Sequence, residues 1–372
     1  MLWGMAEHLR TPQRSNSRSV RLRSALEGLP HYVPGAGGAN ASVFKLSSNE
    51  LPGPLLPAVT AAIADAAEDI NRYPQMYADR LTGALAEHHG LDADQVLVGN
   101  GSVALIELIL RSMCEPGDEV VYPWRSFEAY PILVQVTGAA GVQVPLSADG
   151  AHDLDAMARA ITPRTRVVMV CTPNNPTSVA LSHRDLVAFL ERVPRQVLVL
   201  LDEAYVDFVR SPDPVRSTDL LDMYKNLMVL RTFSKAHGLA GLRVGYALGR
   251  RRLIRTLRAA STPFAVNALA QAAALAALGQ VDRMRERVAE VIVERDRVVS
   301  ALREQGWSIP DAQGNFYWLD VGAHARALAE DAEAAGVTVR PFQGEGVRIT
   351  VGEPEANDIA LAVAARWVHA GA

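Results

Sequence analysis

The chain has 372 residues, which is too long for one small hydrophobic core and favours two domains. A hydrophobic content of 49% and a net charge of -4 are typical of a soluble globular protein, and they do not suggest a nucleic acid or membrane partner. Cys114 and Cys171 lie inside apolar runs, so we expect buried thiols in a reducing compartment and predict a cytoplasmic protein.

The first twenty residues, MLWGMAEHLRTPQRSNSRSV, are polar and basic and lack the apolar segment of a signal peptide. We predict a disordered leader over residues 1–20, and no later run is long enough to cross a bilayer. The alternative is an amphipathic targeting peptide, but Pro12 and the small apolar face count against it.

Helical and strand patterns alternate between about residues 55 and 262. Helical spacing marks PLLPAVTAAIADAAEDI, YADRLTGALAEHHG, SVALIELILRSM, AYPILVQVTG and HRDLVAFLERV. Short apolar runs, typical of strands that are buried on both faces, are QVLVGNG, EVVYP, RVVMVCTP, QVLVLLDEA and LMVLRTFS. This alternation predicts an α/β fold with a mostly parallel, doubly wound sheet that helices cover.

The pattern changes near residues 260–270, where STPF interrupts the alternation. A long helical stretch then runs from NALAQ to Gly306, and WSIPDAQGNFYWLDV, VTVRPF and GVRITVG resemble short strands. We therefore predict a large domain over residues 49–265 and a small α+β domain over 266–372. Residues 21–48 are expected to form an N-terminal arm that packs with the small domain.

Two predicted strands end in motifs that suit anion or ligand binding. Ligands of open α/β sheets gather at the carboxyl ends of the strands. In VLVGNGS, glycines allow close approach and Ser102 begins a helix whose first N–H groups can face an anion. In VCTPNNPTS, Asn175 lies in a rigid turn between prolines. Tight turns commonly use these residues for structural reasons, so neither motif decides a function alone.

Two later strand ends carry residues that indicate a more specific chemistry. Asp202 follows five apolar residues, so its carboxylate needs a cationic partner, either an arginine or lysine or a protonated heterocyclic nitrogen. In TFSKAHGLAGLRVGY, desolvation would free the amine of Lys235 to attack a carbonyl, while Ser234 and Arg243 suit a phosphate. An aldehyde, a ring nitrogen and a phosphate occur together on pyridoxal 5'-phosphate, which we predict as the cofactor.

Eight motifs lie in a characteristic order between residues 31 and 352: SSNE, NRYP, GNGS, PNNPT, DEAY, SKAxGLAGLRxGY, NFxWL and VRITVG. With these motifs the sequence resembles the fold-type I pyridoxal-phosphate aminotransferases, in the branch of histidinol-phosphate and aromatic aminotransferases. The resemblance implies a mostly parallel seven-stranded sheet with helices on both faces and a smaller α+β domain. It also implies amino acid and 2-oxo acid substrates.

The resemblance assigns roles around the cofactor. It implies that Lys235 forms the internal aldimine and moves the substrate proton, that Asp202 pairs with the pyridinium nitrogen, and that Tyr205 and Asn175 bind the phenolic oxygen. The cofactor phosphate is expected to contact the backbone of Ser102 and Val103 and the side chains of Ser234 and Arg243. Phe127 is expected to stack on the ring face, and Tyr73 to reach the phosphate of the cofactor that is bound in the partner subunit. The Tyr73 role implies a homodimer.

For the substrate, the resemblance implies that Arg348 binds the α-carboxylate with help from Asn315 and that Tyr32 closes over the site. Asn49 and Arg340 are further expected substrate contacts. Three departures from the family pattern are Ser178 where glycine is usual, Val103 after GNGS, and NELPGP from Asn49 onwards. His88, His89 and His237 lack metal-ligand spacing, so we predict no metal site.

The pairing of YPWRSFEAYP with PNNPTS favours an aromatic-amino-acid aminotransferase that exchanges the amino group of Phe, Tyr or Trp with 2-oxoglutarate. The alternative is a histidinol-phosphate aminotransferase, for which Arg340, Tyr32 and Tyr73 could bind the distal phosphate. Two other classes are compatible with the same scaffold. One is a decarboxylase or β-elimination enzyme, and the other is a catalytically inactive protein that binds a ligand or acts as a scaffold.

Overall fold

The computed structural model describes residue 20, residues 23–29 and residues 43–368. Tyr32 and residues 1–19 of the predicted leader lie outside these residues. The strands are β1 Phe44–Lys45, β2 Val96–Gly99, β3 Glu119–Trp124, β4 Ala140–Pro145, β5 Thr165–Cys171, β6 Leu198–Asp202, β7 Leu227–Thr232, β8 Gly245–Gly249, β9 Phe316–Gly322, β10 Val337–Thr338, β11 Arg340–Phe342 and β12 Glu345–Thr350.

The α-helices of the described residues connect and follow these strands. They are α1 Pro57–Ala67, α2 Asp79–His89, α3 Gly101–Met113, α4 Ala129–Thr137, α5 Leu154–Arg159, α6 His183–Arg192, α7 Ser217–Leu220, α8 Arg251–Ala260, α9 Ala268–Leu278, α10 Val281–Gln305, α11 Ala325–Ala334 and α12 Pro354–Trp367. No helix in the described ranges is long and apolar enough to span a membrane.

A seven-stranded sheet is the largest in the described part of the chain, with the strand order β2-β8-β7-β6-β5-β3-β4. All neighbouring strands are parallel except that β8 runs antiparallel to both β2 and β7. The central strands β5, β6 and β7 are buried on both faces, where two separate hydrophobic clusters pack. This architecture confirms the predicted α/β fold with a mostly parallel sheet.

Two strands of this sheet and one helix break were not predicted. β8 has the sequence GYALG and begins and ends in glycine, and β4 is an edge strand with mostly exposed side chains, so neither shows the apolar pattern of a buried strand. The long predicted helix is two helices, α9 and α10, separated by Gly279 and Gln280. Its predicted end is confirmed, because Gly306 adopts a left-handed conformation with φ 104° and caps α10.

The C-terminal residues form a second layer with its own hydrophobic cluster. β9, β12 and β11 make an antiparallel sheet, against which α10, α11 and α12 pack. β1 pairs in parallel with β10, so residues 44–45 belong to this layer, whereas Arg23 donates hydrogen bonds to the carbonyls of Val136 and Thr137 beside α4. The division into domains at residue 265 stays a prediction.

Candidate active site

A cavity of about 390 Å³ lies at the carboxyl edge of the seven-stranded sheet, within the size range of small-molecule sites. It forms there because β2, β5, β6 and β7 point the same way and release their following loops at one edge. The predicted cofactor residues that line it are Ser102, Val103, Phe127, Asn175, Asp202, Tyr205, Ser234, Lys235 and Arg243. Apolar walls come from Ala129, Ile132 and Leu133 of α4.

Lys235 follows β7 and carries the only amine among the lining side chains of this cavity in the described structure. Burial lowers the pKa of Lys235 to about 7, and the positive charge of Arg348 adds to this lowering. The Nζ atom donates to the carbonyl oxygen of Ser48 at 3.1 Å and lies 5.5 Å from the ring centroid of Tyr205. A large share of the amine is therefore neutral near pH 7 and able to attack a carbonyl carbon.

Asp202 ends β6 and is 5% exposed. Burial raises the pKa of Asp202 to about 6, while hydrogen bonds from Tyr130 and from the N–H of Ala204 oppose this rise. The Tyr130 hydroxyl donates to Oδ2 at 2.8 Å, and the Ala204 N–H donates to Oδ1 at 3.2 Å. The sequence assigns no role to Tyr130 in YPWRSFEAYP, because no local sequence pattern links this residue to a carboxylate 72 positions away.

Tyr205 lies on the wall of the cavity and is held by a buried polar network. The Asn49 side chain donates to the Tyr205 hydroxyl at 3.0 Å, and burial raises the pKa of that hydroxyl. The Thr350 hydroxyl donates to Asn49 Oδ1 at 3.0 Å, and Asn315 Nδ2 donates to the Asn49 carbonyl at 3.2 Å. Asn49 and Asn315 thus orient Tyr205 and its surroundings and do not line the cavity themselves.

The opposite end of the cavity is shaped to receive an anion. α3 begins at Gly101. In the described structure, the Asn100 side chain accepts no hydrogen bond from the N–H groups of the first turn of this helix. Arg243 has a left-handed backbone with φ 56°, and its Nη1 donates to the Ser234 hydroxyl at 3.3 Å. A Cβ atom on Gly245 would lie 2.8 Å from the backbone nitrogen of Ser102, so β8 and the helix start require glycine for their close approach.

Arg348 extends from β12 towards the same cavity and is 7% exposed. Its Nη1 donates to Asn175 Oδ1 at 2.7 Å, and its Nη2 donates to the Ser47 carbonyl at 2.6 Å. These two acceptors orient the guanidinium. Asn175 lines the cavity, so Arg348 lies directly behind the cavity wall.

Two predicted residues lie apart from the cavity lining. The Arg340 guanidinium forms a partly buried ion pair with Glu128, with Nη2 2.6 Å from Oε2. Tyr73 is 84% exposed, and its ring contacts that of Phe264 with centroids 4.7 Å apart. In the described residues, no group of three or more His, Cys, Asp or Glu side chains could hold a metal ion.

Ser178, which departs from the family pattern, adopts the conformation that normally favours glycine. Its φ is 69°, and the residue is buried. Its hydroxyl accepts a hydrogen bond from the Gly314 N–H at 2.8 Å, and its carbonyl accepts one from the Gln313 N–H at 2.8 Å. These contacts with the loop before β9 offset the cost of a side chain in the left-handed region.

The sequence matches the family model "Aminotransferase class I and II" over residues 41–363, which is most of the chain. The chain belongs to this family. An aromatic amino acid aminotransferase of Streptomyces avermitilis is 50% identical to this aminotransferase over 351 residues, covering 94% of this chain and 98% of the relative. A protein of the same name from Thermobifida fusca is 49% identical over 355 residues, covering 94% of this chain and 98% of the relative.

Solved structures agree with the fold-type I architecture. Histidinol-phosphate aminotransferase from Sinorhizobium meliloti, in complex with pyridoxal 5'-phosphate, superposes with a TM-score of 0.87 and is 26% identical, covering 96% of this chain and 100% of the other. The family assignment implies pyridoxal phosphate for this aminotransferase as well. The cavity residues fit that group: an amine, a buried carboxyl group and a helix start without a side-chain cap from Asn100 line one small space.

We predict that Gly245→Ala weakens the affinity for pyridoxal phosphate. The added Cβ would collide with the backbone of Ser102, Arg231 and Gly101, so the start of α3 has to move. Overpacking of this kind costs about 1–3 kcal/mol, which corresponds to about five- to 150-fold weaker binding if the whole cost falls on the bound state. Cofactor titration of the apoprotein, followed by absorbance, measures the effect.

Gly241→Ala is the matched control, because a Cβ at Gly241 meets nothing within 4 Å and its backbone is not left-handed. The control variant should bind the cofactor like the native protein. Equal affinity of the Gly245 variant and the native protein would show that the helix start does not need this close packing.

Proposed function

We propose that this aminotransferase uses pyridoxal 5'-phosphate, bound in the cavity at the sheet edge, to transfer the amino group of Phe, Tyr or Trp to 2-oxoglutarate. The observation that carries the cofactor assignment is the placement of Lys235 and Asp202 on one cavity, each with a pKa moved towards neutrality by burial. When bound, the cofactor supplies an aldehyde and an electron-withdrawing ring.

The residues of the chain would hold the cofactor by its three polar groups. The first N–H groups of α3, the Ser234 hydroxyl and the Arg243 guanidinium would bind the phosphate. Asp202 would keep a proton on the ring nitrogen, and the Tyr130 hydroxyl bond stabilises the charged carboxylate for that purpose. Phe127, whose ring lies edge-on to Tyr130, would cover one ring face.

The same residues would carry out the proton transfers. Lys235 would hold the cofactor through its aldehyde group, and whenever its amine is free and neutral it would act as the general base for the proton on the substrate α-carbon. Tyr205, oriented by Asn49, and Asn175 would bind the phenolic oxygen of the cofactor. Arg348 would bind the substrate α-carboxylate through two parallel hydrogen bonds, while the neutral Asn175 and Ser47 oxygens keep its guanidinium in place.

Two features support aromatic donors over histidinol phosphate. The relatives from Streptomyces avermitilis and Thermobifida fusca, at 50% and 49% identity, carry the name aromatic amino acid aminotransferase. The cation that could bind a distal phosphate, Arg340, is held in an ion pair with Glu128. Histidinol phosphate stays the alternative donor, because the Sinorhizobium meliloti structure shares the whole fold.

We also propose that the active unit is a homodimer and that Tyr73 contributes to the site of the partner subunit. Ile70, Tyr73, Met76 and Phe264 are between 38% and 84% exposed, which is unusual for large apolar side chains. Exposed apolar patches of this kind are typical of protein interfaces. A second copy of the chain would cover them and bring Tyr73 to the partner's cofactor phosphate.

We predict that covalent capture of pyridoxal phosphate by the apoprotein depends on pH with a midpoint near 7. Only the neutral amine reacts, and burial lowers the pKa of Lys235 to about 7, so the rate rises about tenfold per pH unit below 7 and levels off above it. Stopped-flow absorbance measures the rate, and pyridoxal, which has no phosphate, controls for ionisation of the phosphate group.

Lys235→Ala is the negative control, and we expect it to bind the cofactor non-covalently and to lose turnover by at least about 10²–10⁴-fold. A capture rate of the native protein that keeps rising to pH 10 would show that the amine of Lys235 is not desolvated.

We predict that phenylalanine is a better donor than histidinol phosphate, with 2-oxoglutarate as acceptor. An apolar ring needs no cation at its far end, whereas a phosphate has to displace Glu128 from Arg340. Steady-state kcat/KM values for both donors measure the preference. A larger kcat/KM for histidinol phosphate would refute the aromatic assignment and leave the aminotransferase family unaffected.

We predict that Lys235→Ala and Tyr73→Ala complement each other in mixed dimers. If Tyr73 acts across the interface, one site of each hybrid combines an intact Lys235 with an intact Tyr73 from the other subunit, so mixing two impaired variants restores activity. Co-expression with different affinity tags isolates the hybrid. If the activity of the hybrid equals the sum of the activities of the two separate variants, Tyr73 lies outside the partner's site. Light scattering measures independently whether the protein is a dimer.

A further inference from the structure

The ion pair between Arg340 and Glu128 joins the β9–β12 sheet to the start of α4, beside the cavity. Arg340 begins β11, and Glu128 lies just before α4, 212 positions earlier in the chain. The Arg340 Nη2 and Nε atoms lie 2.6 and 3.2 Å from the same carboxylate oxygen. The Arg340 side chain is only 7% exposed, whereas that of Glu128 is 26% exposed, so the carboxylate covers the guanidinium.

This ion pair lies next to two groups that we assign to the site. Phe127 and Ala129, the neighbours of Glu128 in the chain, both line the cavity. Arg340 is the direct partner of Arg348 in the antiparallel pair of β11 and β12. Residues that pair in this way project to the same face with Cβ atoms about 4.5–5.5 Å apart. Arg340 is therefore a second cation beside the proposed α-carboxylate site.

Glu128 determines what that second cation can do. A buried guanidinium needs a counterion, and Glu128 supplies it at hydrogen-bonding distance. With Glu128 in place, the two charges cancel, and an uncharged ring meets no unbalanced charge. A substrate with a distal phosphate or carboxylate has to compete with Glu128 for Arg340.

We infer that Glu128 is the specificity-determining residue for the distal end of the substrate: by occupying Arg340 it favours uncharged aromatic side chains over substrates with a distal anionic group. This inference rests on the proposed aminotransferase function. It extends to both half-reactions, because the distal carboxylate of 2-oxoglutarate also competes with Glu128.

The test is Glu128→Gln in the holoenzyme. The amide keeps the size of the side chain and removes its charge, so Arg340 becomes available to the substrate. We expect the ratio of kcat/KM for histidinol phosphate to that for phenylalanine to rise by about tenfold or more, with a lower KM for 2-oxoglutarate. Inhibition constants for two unreactive analogues, glutarate and 3-phenylpropanoate, should move in favour of glutarate.

Glu345→Gln is the matched control. Arg125 and Glu345 form a second ion pair between the same two chain segments, and Arg125 also stacks on Trp124 with its guanidinium 4.3 Å from the ring centroid. This variant loosens the same junction but leaves Arg340 paired with Glu128, so the substrate ratio should stay at the native value. Thermal unfolding of each variant reports on stability separately.

The double variant Glu128→Gln/Arg340→Gln identifies the route of the effect. It should lose the gain for anionic substrates, because no cation remains to receive them. An unchanged ratio in Glu128→Gln, an equal change in Glu345→Gln, or a gain that persists in the double variant would each overturn the inference. A native enzyme that does not use phenylalanine refutes the proposed function instead, so the two failures are distinguishable.

Discussion

The site depends on the removal of water from two groups of opposite charge. Burial raises the pKa of Asp202 to about 6 and lowers that of Lys235 to about 7, because each loses the hydration that favours its charged form. The proposed cofactor would suit both groups: a protonated ring nitrogen would give Asp202 a cationic partner, and the neutral amine of Lys235 would hold the aldehyde. The hydrogen bond from the Tyr130 hydroxyl stabilises the ionised form of the Asp202 carboxylate.

Residues 47–50 connect this desolvated pair to the C-terminal layer. The carbonyls of Ser47 and Ser48 accept hydrogen bonds from Arg348 and Lys235, so neighbouring residues of one segment orient both side chains. Asn49 fixes the segment, since its backbone and side chain bond to Thr350 and its amide holds Tyr205. Movement of the β9–β12 sheet would therefore reach the proposed catalytic amine through one short stretch of chain.

The sequence predicted those parts of the site that follow directly from a strand end. Ser102, Asp202 and Lys235 could be placed together because parallel strands release their loops at one edge. The ion pair of Arg340 with Glu128 could not be predicted, because it depends on how two sheets pack across 212 positions of sequence. β8 was not predicted for a different reason. GYALG lacks the apolar pattern of a buried strand, and its position depends on close packing against the start of α3.

The two arginines of the β11–β12 hairpin show how one sheet face can carry two different electrostatic properties. Arg348 donates to an amide oxygen and a backbone carbonyl; its charge adds to the fall that burial causes in the pKa of Lys235 and opposes the rise that burial causes in the pKa of Tyr205. Arg340 is held by a carboxylate, which cancels its charge locally. Identical side chains, paired directly across the two strands, thus have different partners. This difference suits a donor whose single fixed anion is its α-carboxylate and whose far end is an apolar ring.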